Sequence, residues 1–255
     1  MDHVGESSAS AAPTLGKLAS IAGATIENAG NAESGTAEEL AIEAISLDSN
    51  AVEPGGLFAA LPGTRVHGAR FAVDSPAGAI LTDAEGREII RQAGDTRPVL
   101  VVDDVRAILG DVSAEVYGHP SREMTLIGVT GTSGKTTTTY MLERGLNAAG
   151  CTVGLIGTTG TKINGVEVPT ALTTPEAPKL QSLFARMRRE GVTHVVMEVS
   201  SHALMLGRVG GADFDVAGFT NLSQDHLDFH PTMEEYFDAK AVSYTHLTLP
   251  TNREV

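Results

Sequence analysis

Seven consecutive residues, Gly131-Thr132-Ser133-Gly134-Lys135-Thr136-Thr137, have the types and order needed to hold a phosphate. The glycines let backbone approach an anion with no Cβ in the way. Lys135 brings a cation to the terminal phosphates, and the Thr136 hydroxyl is placed to sit on a divalent metal. The spacing is unusual. The common phosphate loop has four residues between its glycines, which would require a glycine at 129, where valine stands; here only Thr132 and Ser133 intervene. This short loop argues against an ordinary small-molecule kinase or GTPase. The bland alternative, a flexible Gly/Thr turn with a stray lysine, is disfavoured by what flanks it. Leu126-Ile127-Gly128-Val129 reads as a buried strand, and Tyr140, Met141, Leu142 and Leu146 offer a helix an apolar face that Gly150 would terminate.

Other candidates stand further along the chain. Glu198 ends the apolar run 194–199, just before Ser200, Ser201 and His202. In an open parallel sheet, ligands gather beyond the carboxyl ends of the strands, so a carboxylate there suits Mg²⁺; alone, it reads equally well as a solvated strand end. Asn221-Leu222-Ser223-Gln224-Asp225-His226-Leu227-Asp228 follows the next strand, 216–220. Its spacing fits no zinc motif, and His226 is a candidate for Mg²⁺ or phosphate, against the plainer reading of a polar loop. Arg208 is a surface charge unless an anionic substrate reaches it, where it would make a bidentate contact. Lys240 reads locally as a solvated helix-end charge.

The elements that must position these residues follow from pattern. Residues 41–47 loosely alternate as a strand, Pro54-Gly55-Gly56 turns the chain before 57–61, and 79–81 and 99–102 are short buried strands. Val105, Ile108, Leu109, Val112 and Val116 recur at helical spacing, and Gly118-His119-Pro120 closes that helix at a domain boundary. Past the loop, strand and helix alternate, as in a mainly parallel sheet. Thr174-Pro175 is expected to open a helix with Leu180, Leu183, Phe184 and Met187 inward. The fold class is therefore α/β: a small N-terminal α/β domain at 38–122, then a phosphate-loop central domain at 123–241. Residues 1–37, rich in Ala, Ser and Gly, are expected to be flexible, with a short helix near 15–21. Residues 242–255 continue no pattern and look foreign.

Composition sets limits. Of the 255 residues, 42% are hydrophobic and none is Trp, so aliphatic side chains must build the core. A net charge of −14 argues against nonspecific nucleic-acid binding. The single cysteine, Cys151, permits no internal disulfide, suits a reducing compartment and is expected to be buried. No run approaches membrane-spanning length and the N-terminus lacks signal-peptide features, so a cytoplasmic location is expected.

Four ordered motifs together resemble the Mur ligases of peptidoglycan synthesis: the loop 131–137, Met197-Glu198-Val199-Ser200-Ser201-His202, Thr220 through Asp228, and Asp238-Ala239-Lys240. Leu47-Asp48-Ser49-Asn50 and Pro54-Gly55-Gly56-Leu57-Phe58 resemble segments of the first domain in the members that add the third stem-peptide residue. Asn50 replaces the usual Arg there, and Gly56 the usual Asp. The resemblance implies ATP-dependent amide synthesis with Mg²⁺. The carboxylate of UDP-N-acetylmuramoyl-L-alanyl-D-glutamate would form an acyl phosphate, which the amine of meso-diaminopimelate or L-lysine displaces. It implies that residues 131–137 bind ATP, with Lys135 catalytic. It assigns Thr136, Glu198, His226 and Lys240, the last carried as a carbamate, to the Mg²⁺ sites. Leu47, Ser49, Thr64, Arg65 and Val66 would contact the uridine diphosphate, and Thr173, Thr174, Ser200 and Arg208 the muramoyl peptide. The family also has a C-terminal amino-acid-binding domain with no counterpart here, so the chain is expected to be incomplete, inactive alone and monomeric. The alternatives are a folylpolyglutamate synthetase-like ligase, against which residues 47–58 speak, and a noncatalytic nucleotide-binding module.

Overall fold

The computed structural model describes residues 11–27 and 36–223. His226, Lys240 and the segment 242–255 lie outside the described residues. The chain forms two compact units. One takes the residues up to Asp103 together with Glu115–Gly118; the other takes Asp104–Ala114 and the chain from His119 onward.

In the first unit, α1 (Leu15–Ala22) leads into β1 (Thr25–Glu27), then β2 (Ile45–Ser46), β3 (Leu57–Ala59), β4 (Ala79–Thr82), α2 (Ala84–Gln92), β5 (Val99–Val101) and α3 (Val105–Val116), which the two units share. The sheet runs β1-β5-β4-β3-β2, with β1 antiparallel at one edge and the other pairs parallel. Fully buried β3 and β4 explain why their sequences are continuous apolar runs rather than alternating ones. Residues 11–27 carry the short helix expected near 15–21, as α1, but are not otherwise the flexible lead-in the composition suggests. Thr14 caps α1, Leu15 and Leu18 are wholly buried, and β1 extends the sheet. Buried Leu15, Leu18 and Ala19 with the Thr14 cap order this segment despite its low-complexity composition.

Arg97 is the polar anchor of this unit. Its guanidinium donates to the carbonyls of Ser75 and Ala77 at 2.8 Å each, to that of Ala72, and to the Asp95 carboxylate. Burial alone would push the Asp95 carboxyl up, but the hydrogen bonds and charge of Arg97 outweigh it and hold the group below its usual range.

The second unit contains β6 (Thr125–Thr130), α4 (Lys135–Ala148), β7 (Val153–Gly157), β8 (Gly160–Ile163), β9 (Val166–Val168), α5 (Ala177–Arg189), β10 (His194–Glu198), α6 (Ser201–Met205) and β11 (Val216–Phe219). Its sheet order is β11-β6-β10-β7-β8-β9, parallel from β11 to β7 and antiparallel beyond. The β8–β9 hairpin departs from the expected simple alternation of strand and helix. Asn164 and Gly165, both at positive φ, make its turn. Leu180, Phe184 and Met187 of α5 pack with Ile156, Val195 and Met197 on one face of the sheet. On α4, Tyr140, Leu142 and Leu146 pack against Val153, Leu155 and Val196, whereas Met141 is 69% exposed and lies off the expected inner face. Cys151 is only partly buried, because it precedes β7 rather than lying within it. Helix α5 begins at Ala177, after Glu176, not at Thr174. Among the described residues, no helix is long and apolar enough to cross a membrane.

Replacing Arg97 by Ala should strand several buried carbonyls and the Asp95 carboxylate, at a cost of roughly 2–4 kcal/mol in urea unfolding. Because the Asp95 pKa is depressed by folding, the contribution of the pair stands at neutral pH and is lost as pH falls below roughly 4. The gap between wild type and variant should therefore narrow in acid. A loss under about 0.5 kcal/mol at pH 7, the range of an inert surface change, would contradict the anchoring role.

Candidate functional site

Strand β6 lies between β10 and β11, so its carboxyl end opens at the centre of the parallel region. The chain turns through Gly131 at φ 136° and Gly134 at φ 84°, then enters α4 at Lys135. A Cβ on Gly131 would overlap Thr220 Oγ1, so this position admits only glycine for two independent reasons. The residues after β11 close the loop. Asn221 accepts from Thr132 N through its carbonyl (2.9 Å) and from Ser133 N through Oδ1 (3.0 Å). Thr220 Oγ1 donates to Ser133 O (2.7 Å), and the Thr132 hydroxyl accepts from Ser223 N (3.0 Å).

This alters one expectation. The amides of Thr132 and Ser133 are engaged inside the protein. The amides of the first turn of α4, including those of Thr136 and Thr137, have no carbonyl one turn earlier in the helix, which suits them to an anion. The Nζ of Lys135 donates to Gly131 O (2.7 Å) and Thr132 O (3.0 Å), folding the cation back over the loop.

Glu198 pairs in register with Val129, one strand over from the start of the loop. It is 1% exposed, and both oxygens are oriented by one residue: Thr158 N donates to Oε1 (3.0 Å) and Thr158 Oγ1 to Oε2 (3.1 Å). A side chain at Gly157 would overlap Oε1, so the glycine clears the carboxylate's place. Each carboxylate oxygen has lone-pair capacity beyond the one bond it accepts. With the Thr136 hydroxyl, the available donors are hard oxygens, which fit Mg²⁺ bound through one or two protein groups plus phosphate and water. No cluster of three or more metal-binding His, Cys, Asp or Glu occurs among the described residues.

Thr173, Thr174, Ser200 and Arg208 lie around the end of β10. Thr173 Oγ1 lies 3.2 Å from Thr158 Oγ1. Thr174, buried, donates its hydroxyl to Glu198 O (2.9 Å) and accepts from Ser200 N (3.2 Å), so it ties the end of β10 instead of capping α5. Ser200 caps α6 through Ala203 N. Arg208 has its Nε 2.8 Å from Glu176 Oε1, close but off the line of a well-aligned hydrogen bond.

Within the first unit, Leu47 and Ser49 are half-buried and Thr64, Arg65 and Val66 are exposed. The 64–66 segment rises from a pinned base. His67 accepts from Ala69 N at Nδ1 (3.0 Å), which puts its proton on Nε2, 3.1 Å from Asp83 Oδ1, and Gly68 N donates to Leu61 O (2.8 Å). Thr158, Glu176 and Arg106 have no motif of their own, so nothing in the sequence marks them. Asn221 carried a signal in its place directly after an apolar strand.

A glycine-flanked loop between strand and helix, with a buried strand-end carboxylate in register beside it, defines a phosphate-loop α/β unit. Comparison with known proteins narrows the class. Residues 129–248 match the family described as Mur ligase middle domain, and residues 41–117 that described as Mur ligase family, catalytic domain. The UDP-N-acetylmuramoyl-L-alanyl-D-glutamate–2,6-diaminopimelate ligase of Corynebacterium glutamicum is 69% identical over 210 residues, covering 81% of this chain and 41% of that protein. The ligase of the same name from Streptomyces coelicolor is 53% identical over 217 residues, covering 84% and 42%. A solved structure of a ligase with this name superposes with a TM-score of 0.67 at 29% identity, over 84% of this chain and 43% of the other. A MurF structure from Acinetobacter baumannii shares the fold, at a TM-score of 0.62 and 21% identity over 94% of this chain and 47% of the other. The chain belongs to the Mur ligase family. It spans about two fifths of the length of the curated relatives it matches.

If the loop holds nucleotide phosphate, substituting Ala for Gly131 should force it away from Thr220 and weaken ATP binding by about tenfold or more, while any UDP binding by the first unit changes less than about twofold. Calorimetric titration of the two nucleotides separates the effects. Unchanged ATP affinity would show that loop closure does not matter to the site.

Proposed function

We propose that this chain carries the UDP-substrate and ATP sites of a ligase that adds a diamino acid, meso-diaminopimelate or L-lysine, to UDP-N-acetylmuramoyl-L-alanyl-D-glutamate. The names of its relatives favour diaminopimelate. The observation that carries the reading is the pairing of Glu198 beside Val129, which sets an oriented carboxylate next to a phosphate loop. In this reading residues 38–122 hold the uridine end, through Leu47, Ser49 and 64–66, and residues 123–241 hold ATP.

Chemically, the γ-carboxylate of the substrate attacks the terminal phosphorus of ATP, the bond to ADP breaks, and an acyl phosphate results. The diamino acid's amine then displaces phosphate and loses a proton, forming the amide. The first turn of α4 faces the phosphates, and Lys135 swings from the Gly131 and Thr132 carbonyls to meet charge shifting onto the transferred group. Bound Mg²⁺ would supply positive charge against the negative charge of the phosphates. Thr136 and Glu198 would hold it, with His226 and a carbamylated Lys240 beyond the described residues. Thr173, Ser200 and Arg208 orient the muramoyl peptide, and Thr174 fixes the backbone between Glu198 and Ser200.

In the full-length ligase bearing these residues, Lys135→Ala should lower phosphate release by on the order of a hundredfold or more. Binding of the UDP-muramoyl dipeptide should change less than about threefold, because the uridine contacts lie in the other unit. Turnover within a few-fold of wild type would remove Lys135 from the chemistry.

A further inference from the structure

Arg106 carries no motif, and its sequence neighbourhood reads only as an amphipathic helix. In the structure it is the second residue of α3, whose first turn is fixed by Asp104 Oδ1 accepting from Arg106 N (2.8 Å) and Ala107 N (3.2 Å). Its Nη1 makes two contacts. One is with Glu176 Oε2 at 3.1 Å; the other is with the carbonyl of Leu206 at 3.2 Å. The second oxygen of Glu176 is the partner of Arg208 Nε, and Leu206 ends α6 two residues before Arg208. Helix α3 also lies flush against this turn: a Cβ on Gly110 would overlap the backbone of Gly210, and one on Gly211 would overlap Gly110 O.

Two guanidinium groups therefore share one carboxylate. Glu176 is only 24% exposed and Arg208 16%, so screening is reduced. The arginine nearer the strand ends, Arg208, is the loosely aligned member; its Nη1 reaches Thr174 O only at 3.5 Å. A guanidinium held by one off-line carboxylate is preset in place yet able to accept a ligand carboxylate at its fork.

We infer that Arg106 is a positioning residue for Arg208, acting through Glu176 on its side chain and through Leu206 on its backbone. This rests on the reading of Arg208 as a contact for the muramoyl peptide, and the test separates the two. Binding of the UDP-muramoyl dipeptide and of ADP is measured by calorimetry for this chain and its Arg208→Ala, Arg106→Ala, Arg106→Lys and Arg106→Ala/Arg208→Ala variants. Arg208→Ala should weaken dipeptide binding ten- to a hundredfold. Arg106→Ala should weaken it about tenfold, with ADP affinity changed less than twofold. In the Arg208→Ala background the Arg106 change should add less than twofold, because its effect passes through the missing side chain. Arg106→Lys, which keeps the charge on Glu176, should restore affinity to within about threefold of wild type and covers the case in which the alanine variant misfolds. Additive losses, or a parallel loss of ADP affinity, would overturn the positioning role. No effect of Arg208→Ala would instead overturn the underlying assignment of Arg208, and the proposal with it.

Discussion

Closure of the phosphate loop by Thr220 and Asn221 is the constraint on which the rest of the second unit depends. Two amides of the loop, those of Thr132 and Ser133, are bonded to Asn221 and so are held inside the protein. What the loop gains is a fixed launch angle for α4. The register that makes this possible is set in the sheet. Strand β11 pairs with β6 from Val216 opposite Ile127 to Phe219 opposite Thr130, so Thr220 and Asn221 emerge level with Gly131 and Thr132. A one-residue slip would turn Thr220 to the other face and leave the loop unsupported.

The same logic governs Glu198. A buried carboxylate is costly unless its oxygens are satisfied. Thr158 supplies both donors from the end of β7, the next strand along, and Gly157 leaves the space. The threonines at 158, 173 and 174 thus form a scaffold around the end of β10, converting strand register into side-chain placement. Arg208 is held similarly, by a carboxylate and a carbonyl that other elements fix.

Much of this was legible in the amino-acid sequence because it rests on local chemistry. The glycines, lysine and threonine of the loop announce their site by order alone. The apolar runs at 79–81, 99–102 and 194–199 mark strands buried on both faces, each near where β4, β5 and β10 lie. The hairpin of β8 and β9 was also readable, from Asn164-Gly165, but a strand-and-helix template hid it. The helix start was misplaced because Thr174 and Pro175 form a persuasive local cap, and only the fold shows Thr174 bonded to β10. Arg106, Glu176 and Thr158 lay beyond sequence reading altogether. Their partners stand 15 to 100 residues away, and charge or hydroxyl at those positions looks like ordinary surface.

The most direct test of the loop account is amide-resolved hydrogen exchange on this chain with and without Mg²⁺ and ATP. Slowed exchange at Thr136 and Thr137 on adding nucleotide is the predicted result, with Thr132 and Ser133, already bonded to Asn221, protected beforehand and changing little. Strong new protection at Thr132 and Ser133 with none at Thr136 and Thr137 would contradict it, by showing that the loop opens from Asn221 to bind phosphate.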